Sequence, residues 1–361
     1  MRHSPGLRRV FVVPLALAAC LAATGPGSAA PPGGERTRVD FAQRYRALQH
    51  GGIVRAANSA ITCRRAVART AASCAAARGG TAGVNDDFDM AYIDVDDDPN
   101  TYNSSTGEVR LPPHARVTYA RLYWGGNLRA GEQKSPKDNG RVLIAEPGGR
   151  YRPVVADTLT GHRVAGDADA FQASADVTGL VRTAGGGSYT VAQVNVAKGH
   201  SRTGAWGGWT LVVAYEDAAE PLRALTVWDG FDSTGKNGHR HTLRLRGVPA
   251  PTAAGGIAGV VAYDGDRGRL GDTVGVAAGR GRAVPLSDDA NPVGDVLNST
   301  ISEPGPPVRR TPAYPNTLGY DSDVLPLTTR PGGQGGDLTV HLSSRESAWV
   351  GVVFAAVDAR R

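Results

Sequence analysis

Short runs of alternating apolar and polar residues, cut at close intervals by glycine and proline, restrict this chain to an all-β fold. Met90-Ala91-Tyr92-Ile93-Asp94-Val95, Arg116 to Trp124 and Ser188 to Val194 follow the two-residue period of a half-buried strand. Trp209 to Tyr215 has few polar positions and reads as a buried strand. Further strand candidates are Ala224–Trp228, His241–Leu245, Ile257–Ala262, Leu338–Leu342 and Ala348–Ala356. With 48 glycines and 23 prolines in 361 residues, the breaks between runs fall at spacings that suit a sandwich. After Gly80 no segment sustains a 3.6-residue apolar period, and no βαβ alternation is visible. A nucleotide-binding α/β fold is thereby excluded. The expected architecture is two packed antiparallel β-sandwiches, jelly-roll-like, covering residues 51–218 and 219–361, with the boundary at Glu216 to Pro221. A single continuous sandwich or barrel of about 250 residues is the alternative.

The N-terminus sets the expected compartment. Arg2, Arg8 and Arg9 precede an apolar run from Val10 to Ala23, and small residues from Thr24 to Ala30 offer a cleavage site. Residues 1–30 therefore read as a signal peptide, too short in its apolar run to span a bilayer. Leu17-Ala18-Ala19-Cys20 resembles a lipoprotein cleavage box, so Cys20 is a candidate for lipidation, while Leu21-Ala22-Ala23 continues the apolar run past it. Arg8-Arg9-Val10-Phe11-Val12 resembles a twin-arginine signal. Residues 31–50, rich in proline, glycine and charge, read as a flexible lead-in. The mature chain is expected to carry no transmembrane helix.

Loss of three arginines with the signal lowers the formal charge of +6 to about +3. Arginine is scattered and lysine occurs only at Lys134, Lys137, Lys198 and Lys236, so no basic stripe with interleaved aromatics marks a nucleic-acid partner. Once Cys20 leaves, Cys63 and Cys74 remain, and in an oxidising compartment they form one disulfide. The Ala-rich stretch Ser59 to Arg78 has helical propensity, but a straight helix would hold the two cysteines about 16 Å apart, beyond bridging distance. Helix and disulfide exclude each other unless the segment turns back.

Chemistry concentrates in acidic loops. Asp94, Asp96, Asp98 and Asn100 present oxygens at alternate positions, a candidate calcium set for a hard cation that takes six to eight oxygens. Pro99 stands where an EF-hand needs glycine and Ser105 where it needs glutamate, and the competing reading is a self-capped acidic turn. Any calcium affinity there would be of the extracellular kind, on the order of 0.1–1 mM. Asp264 and Asp266, with Asp272 beyond, form a second and weaker candidate, because arginines sit beside the carboxylates. Asp321-Ser322-Asp323 is a third acidic pair. His239-Arg240-His241 puts two imidazoles on one strand face, short of a zinc site without a third ligand. Gly199-His200-Ser201-Arg202-Thr203-Gly204 lacks the glycine two residues after serine that a nucleophile elbow requires. Trp124, Trp206, Trp209 and Trp228 offer stacking surfaces for sugars, but beside glycines in short strands they read as core.

Longer segments carry a resemblance. They include Asp86-Asp87-Phe88-Asp89-Met90, Tyr92-Ile93-Asp94-Val95-Asp96, Tyr102-Asn103-Ser104-Ser105, Leu111-Pro112-Pro113 and Ala120-Arg121-Leu122-Tyr123-Trp124-Gly125-Gly126. Gly207 to Tyr215, Leu225 to Phe231, Val261 to Gly268, Asn298 to Ser302 and Leu318 to Asp323 continue it. In these segments the chain resembles the N-terminal module of large secreted bacterial surface proteins, which usually precedes tandem Ig-like repeats. The resemblance spans about residues 50 to 358 and implies an extracellular, β-rich module with no assigned catalytic residues. The sequence reaches Arg361 without such repeats, a wall-sorting motif or a C-terminal membrane segment, so a solitary copy is expected.

The combined expectation is a secreted or envelope-associated binding or structural module, calcium-stabilised, with a carbohydrate or cell-envelope polymer as ligand and no enzymatic activity. A carboxylate-dependent hydrolase of an extracellular polymer is the alternative.

Overall fold

The computed structural model describes Met1 and residues 39–234, 240–249, 255–307, 309–327 and 336–359. The expected signal peptide beyond Met1, Cys20 and His239 lie outside the described residues. The chain from Val39 runs through β1 (Val39–Ser59), β2 (Ile61–Ala66), α1 (Cys74–Arg78), β3 (Phe88–Tyr92), β4 (Ser104–Val109) and β5 (Arg116–Asn127). It continues through β6 (Arg141–Ala145), β7 (Arg152–Val155), β8 (Thr158–Ala165), β9 (Ala168–Asp176), α2 (Thr178–Ala184), β10 (Gly187–Ala192) and β11 (Gly207–Glu216). Then follow β12 (Leu222–Ser233), β13 (Arg240–Pro249), β14 (Gly256–Tyr263), β15 (Thr273–Ala278) and β16 (Val284–Leu286). The last are β17 (Arg310–Thr311), β18 (Tyr320–Pro326), β19 (Asp337–Ser343) and β20 (Trp349–Asp358). No helix among the described residues is long and apolar enough to cross a membrane.

The protein is nearly all β, as its alternation requires, and its strand pairings are antiparallel. One nine-stranded sheet runs in the order β18-β14-β20-β12-β1-β11-β5-β9-β8. A five-stranded sheet, β17-β4-β10-β6-β7, packs on its β11-β5-β9 end, and a four-stranded sheet, β13-β19-β15-β16, packs on its β12-β20-β14 end. The central strands of the large sheet divide their residues between two cores. In β11, Trp209, Leu211 and Val213 enter the core under the five-stranded sheet, while Val212 and Ala214 enter a separate inner core. In β20, Val350, Val353, Ala355 and Val357 face the four-stranded sheet, while Trp349, Val352, Phe354 and Ala356 join that same inner core. The inner core thus collects the opposite faces of both ends of one sheet, through Tyr123, Phe231, Tyr263 and Tyr320. The four tryptophans read as core are core: Trp124, Trp206 and Trp209 are fully buried, and Trp228 nearly so.

Glu216 to Pro221 connects β11 to β12, and both of these strands pair with β1. Residues 39–50 are therefore not a lead-in but the first half of β1, in antiparallel register with β12. Backbone pairing, the stacking of Tyr45 on Tyr119 at 4.7 Å and the packing of Phe41 on the second core order a segment whose composition is that of a linker. At its other end β1 turns into β2, and the chain then folds back so that Cys63 and Cys74 are disulfide-bonded with Cα atoms 5.5 Å apart. Disulfide and helix coexist because α1 is a single five-residue turn that begins at Cys74, capped by Ser73.

Candidate functional site

Two places combine cavities, polar side chains and strained backbone. Among the described non-glycine residues, positive φ occurs at Asp264, Ser299, Leu318 and Gln193. The first three surround one acidic centre and the fourth lines a groove. Non-glycine residues reach this region at a cost of about 1–3 kcal/mol each, which the surrounding structure must offset.

The acidic centre forms where β14 and β18 end or begin side by side, in register from Ile257–Pro326 to Tyr263–Tyr320. That pairing brings the loop after β14 (Asp264, Asp266, Asp272) against Asp321 of β18, while Asp323, two residues along the strand, is bonded to Thr300 and Ser302. Asp295 and Glu346 join from neighbouring loops, and Asp86 from the turn after α1. Asn85 ties the first loop down: its backbone N–H donates to Asp266 at 2.8 Å, and its amide to Asp264 at 2.9 Å. Ser299 does the same from the other side, donating to the Gly265 carbonyl at 2.6 Å and accepting from the Gly319 N–H at 2.7 Å.

Carboxylates outnumber cations here. Arg267 is turned away to the Gly80 carbonyl at 3.0 Å, and Arg269 stands 4.0 Å from Asp266. Burial, reinforced by Asp86 and Asp272, pushes the Asp266 carboxyl up to about 7 against the Asn85 hydrogen bond. Asp272 is likewise pushed up to about 7 by burial and by Asp295, and Glu346 to about 9 by burial and by Asp266 and Asp272. Asp321 and Asp264 are raised well above the usual carboxylate range, each by burial and then by a neighbouring carboxylate. Asp321 is fully buried; its Oδ1 accepts from the Thr300 N–H at 3.1 Å, while its Oδ2 has no hydrogen-bond partner. The solvent side of the centre is a cleft of about 350 Å³ lined by Asp86, Asp264, Asp266, Glu346, Arg202 and Arg345 among others, with no aromatic ring in its lining. Among the described residues, no three His, Cys, Asp or Glu side chains stand at the mutual spacing of a metal site built from side chains alone.

The first acidic loop lies elsewhere and is internally bonded. Asp96 accepts from the Asp98 N–H at 3.1 Å, from Thr101 at 3.3 Å and from the Tyr151 hydroxyl, while Asp98 accepts from the Asn100 N–H at 2.9 Å and its amide at 2.7 Å. Asp94 accepts from Ser104 at 2.7 Å. Burial pushes the Asp96 carboxyl up, but the bonds from Tyr151 and the Asp98 N–H outweigh it and hold it below the usual range. The loop's oxygens are used as turn caps. Of the other motifs, His241 sits 3.2 Å from the Ser233 carbonyl, and the Ser201 hydroxyl closes its own turn onto the Gly204 carbonyl at 3.1 Å.

No known protein-family profile matches the chain, and no curated protein matches its sequence.

Beyond the first acidic loop is the second place, a groove of about 450 Å³ lined by Asn100, Tyr102, Lys134, Asp138, Gln193 and Asn195 with flanking residues of β6. Gln193 ends β10 in the left-handed region, and its amide donates to the Asn100 carbonyl. Tyr102 donates to the Val194 carbonyl at 3.1 Å, with the Lys134 ammonium 4.3 Å from its ring centre. Asn195, almost fully buried, donates to the Ser135 carbonyl and to the Asn139 side chain, both at 2.7 Å. Amides, a tyrosine, one ammonium, one carboxylate and Arg141 therefore meet on one open surface. Sequence reasoning marked only Asn100 of this set as a candidate site residue, because the lining comes from three separated stretches with no spacing of their own.

Proposed function

We propose that the protein is an exported, envelope-associated binding module whose groove takes a carbohydrate or cell-envelope polymer. The observation that carries this reading is the groove itself. Its fixed amides and carboxylate are the donors and acceptors that bind hydroxyl-rich ligands, and a small number of placed polar groups in a concavity is what orients such a ligand. Lys134 and Arg141 add attraction for polymers that also carry carboxylate or phosphate. Export is supported by the N-terminal signal pattern, by the resemblance to modules of bacterial surface proteins, and by a disulfide of the kind that persists in oxidising compartments.

A glycan array combined with pull-down on cell envelopes tests the reading. Retention by either is expected, and Tyr102→Ala and Gln193→Ala should weaken it. Blank results from both with the unmodified protein would refute it. Hydrolysis of an extracellular polymer is the second reading, favoured by one observation: Glu346 and Asp266 line the same cleft, where burial and the neighbouring Asp266 and Asp272 push the Glu346 carboxyl up to about 9. Release of reducing ends from envelope polysaccharide, lost in Glu346→Gln, would move the function to that cleft.

A further inference from the structure

The outer face of the four-stranded sheet carries a pocket of one charge sign. Strand alternation sends Leu243, Val274, Val276, Val340 and Leu342 into the second core and leaves their neighbours on the opposite face. Register sets Arg240, Ser343 and Thr273 in one row across β13, β19 and β15, and Thr242, His341 and Gly275 in the next. The connection from β15 to β16 brings Arg282 to the same place. Arg240, Arg282, His341, Thr273 and Ser343 thus line, among others, a pocket of about 380 Å³ with no carboxylate in its lining. The groove and the acidic cleft, by contrast, mix both signs.

The polar groups of this pocket are underused. Among the described residues the exposed Arg240 and Arg282 guanidiniums make no ion pair or hydrogen bond, whereas Arg244, two residues beyond Thr242 on the same face, pairs with Asp337 at 3.2 Å. His341 is fixed by the Thr242 hydroxyl 3.2 Å from its Nδ1, and its Nε2 has no protein partner. The Thr273 and Ser343 hydroxyls lie 2.7 Å apart, so one donates to the other and the pair retains one proton to donate elsewhere. Burial and then Arg240 hold the His341 imidazole below its usual range, as expected where positive charge has no counter-charge.

We propose that this pocket binds a phosphate ester, held by the Arg240 and Arg282 guanidiniums with the Thr273–Ser343 hydroxyl pair as a further donor. The chemistry selects the ligand. Each guanidinium fork matches two phosphate oxygens. The donors come from β13, β15, β19 and the β15–β16 connection, and so suit a tetrahedral oxyanion better than a carboxylate, whose two oxygens share one plane. The volume is within the range of small-ligand sites, which leaves room for the sugar or polyol that carries the phosphate. The pocket belongs to a different sheet from the groove and stands whether or not the groove binds a glycan.

Isothermal titration calorimetry of the full chain with glycerol monophosphate, poly(glycerol phosphate) and glycerol tests the proposal, at about 0.15 M salt so that distant surface charges are screened. Glycerol monophosphate should bind and glycerol should not. Arg240→Ala/Arg282→Ala should weaken binding by about tenfold or more, the loss expected when charge-assisted hydrogen bonds are removed. Both arginines are exposed and unpaired, so this variant should keep its Tm; Arg282→Ala alone, outside the strands, should already weaken binding. Lys134→Ala/Arg141→Ala, in the groove, should bind as the unmodified protein does. Tighter binding of poly(glycerol phosphate) than of the monoester would place the phosphate on a polymer, and equal or weaker binding would make the ligand a free ester; either supports the site. No binding of either phosphate compound, undiminished binding in Arg240→Ala/Arg282→Ala, or loss in Lys134→Ala/Arg141→Ala would overturn it.

Discussion

Removal of the Cys63–Cys74 bridge has a magnitude that the fold allows to be worked out. The bonded cysteines are 11 residues apart in sequence, so the crosslink closes a loop of about 12 residues in the unfolded chain. Loop-closure entropy for that length corresponds to about 3 kcal/mol of stabilisation at 25 °C. The native state does not depend on the bond for its local shape. Val67 and Ala68 donate to the Asp87 carbonyl at 2.8 and 3.2 Å, β2 pairs with β3, and Ala77 of α1 is fully buried in the first core. The double variant Cys63→Ala/Cys74→Ala should therefore fold and lose about 3 kcal/mol, plus up to about 1 kcal/mol for the sulfur removed at the buried position 63. For a unit of this size that corresponds to a Tm lower by about 4–6 °C. Urea denaturation of the unmodified protein with and without reductant isolates the crosslink from the packing loss, because reduction leaves the sulfur atoms in place. Equal midpoints in the two conditions would refute the loop-closure reasoning and show that residues 63–74 open independently of the rest. A large reductant effect would tie full stability to an oxidising compartment.

Two further outcomes follow from the packing and the charges. Gly259→Ala would set a methyl 2.0 Å from the Phe354 ring, its register partner in β20, and overpacking of this kind should cost about 1–3 kcal/mol in a urea titration. Burial pushes the Asp89 carboxyl up, but bonds from Arg64 at 2.6 Å and Arg65 at 3.0 Å outweigh it and hold it below its unfolded value of 3.8. The stability it contributes is complete above that value and is lost as pH falls through the folded one, so the advantage over Asp89→Asn, about 1 kcal/mol at pH 6, should shrink steadily as pH is taken below 3.8.

The strands rich in aromatic and β-branched residues were legible because their alternation maps directly onto two cores, as in β11 and β20. Others carry no such mark. β9 reads Ala-Asp-Ala-Phe-Gln-Ala-Ser-Ala-Asp and is strand only because β5 and β8 pair with it on either side. The seven-residue helix α2 is too short to show a period. β18 places Asp321 and Asp323 inside a strand, against propensity, and reads as a loop until the sheet is seen. The same limit applies to the sites. Asp264, Asp266 and Asp272 look neutralised in sequence by Arg267 and Arg269, but Arg267 turns to the Gly80 carbonyl and Arg269 stays 4.0 Å from Asp266. Their convergence with Asp321 depends on β14–β18 register, which no local spacing encodes. The Asp94 to Asn100 loop shows the converse: oxygens at alternate positions also satisfy the donors of their own turn.

Binding at the groove is tested most directly by hydrogen–deuterium exchange of the protein with and without a saturating soluble fragment of cell-envelope glycan. The account predicts slowed exchange in residues 100–103, 134–143 and 193–195 and little change elsewhere. Unchanged exchange in those three segments, or protection confined to the acidic cleft at Asp264, Asp266 and Glu346, would contradict it.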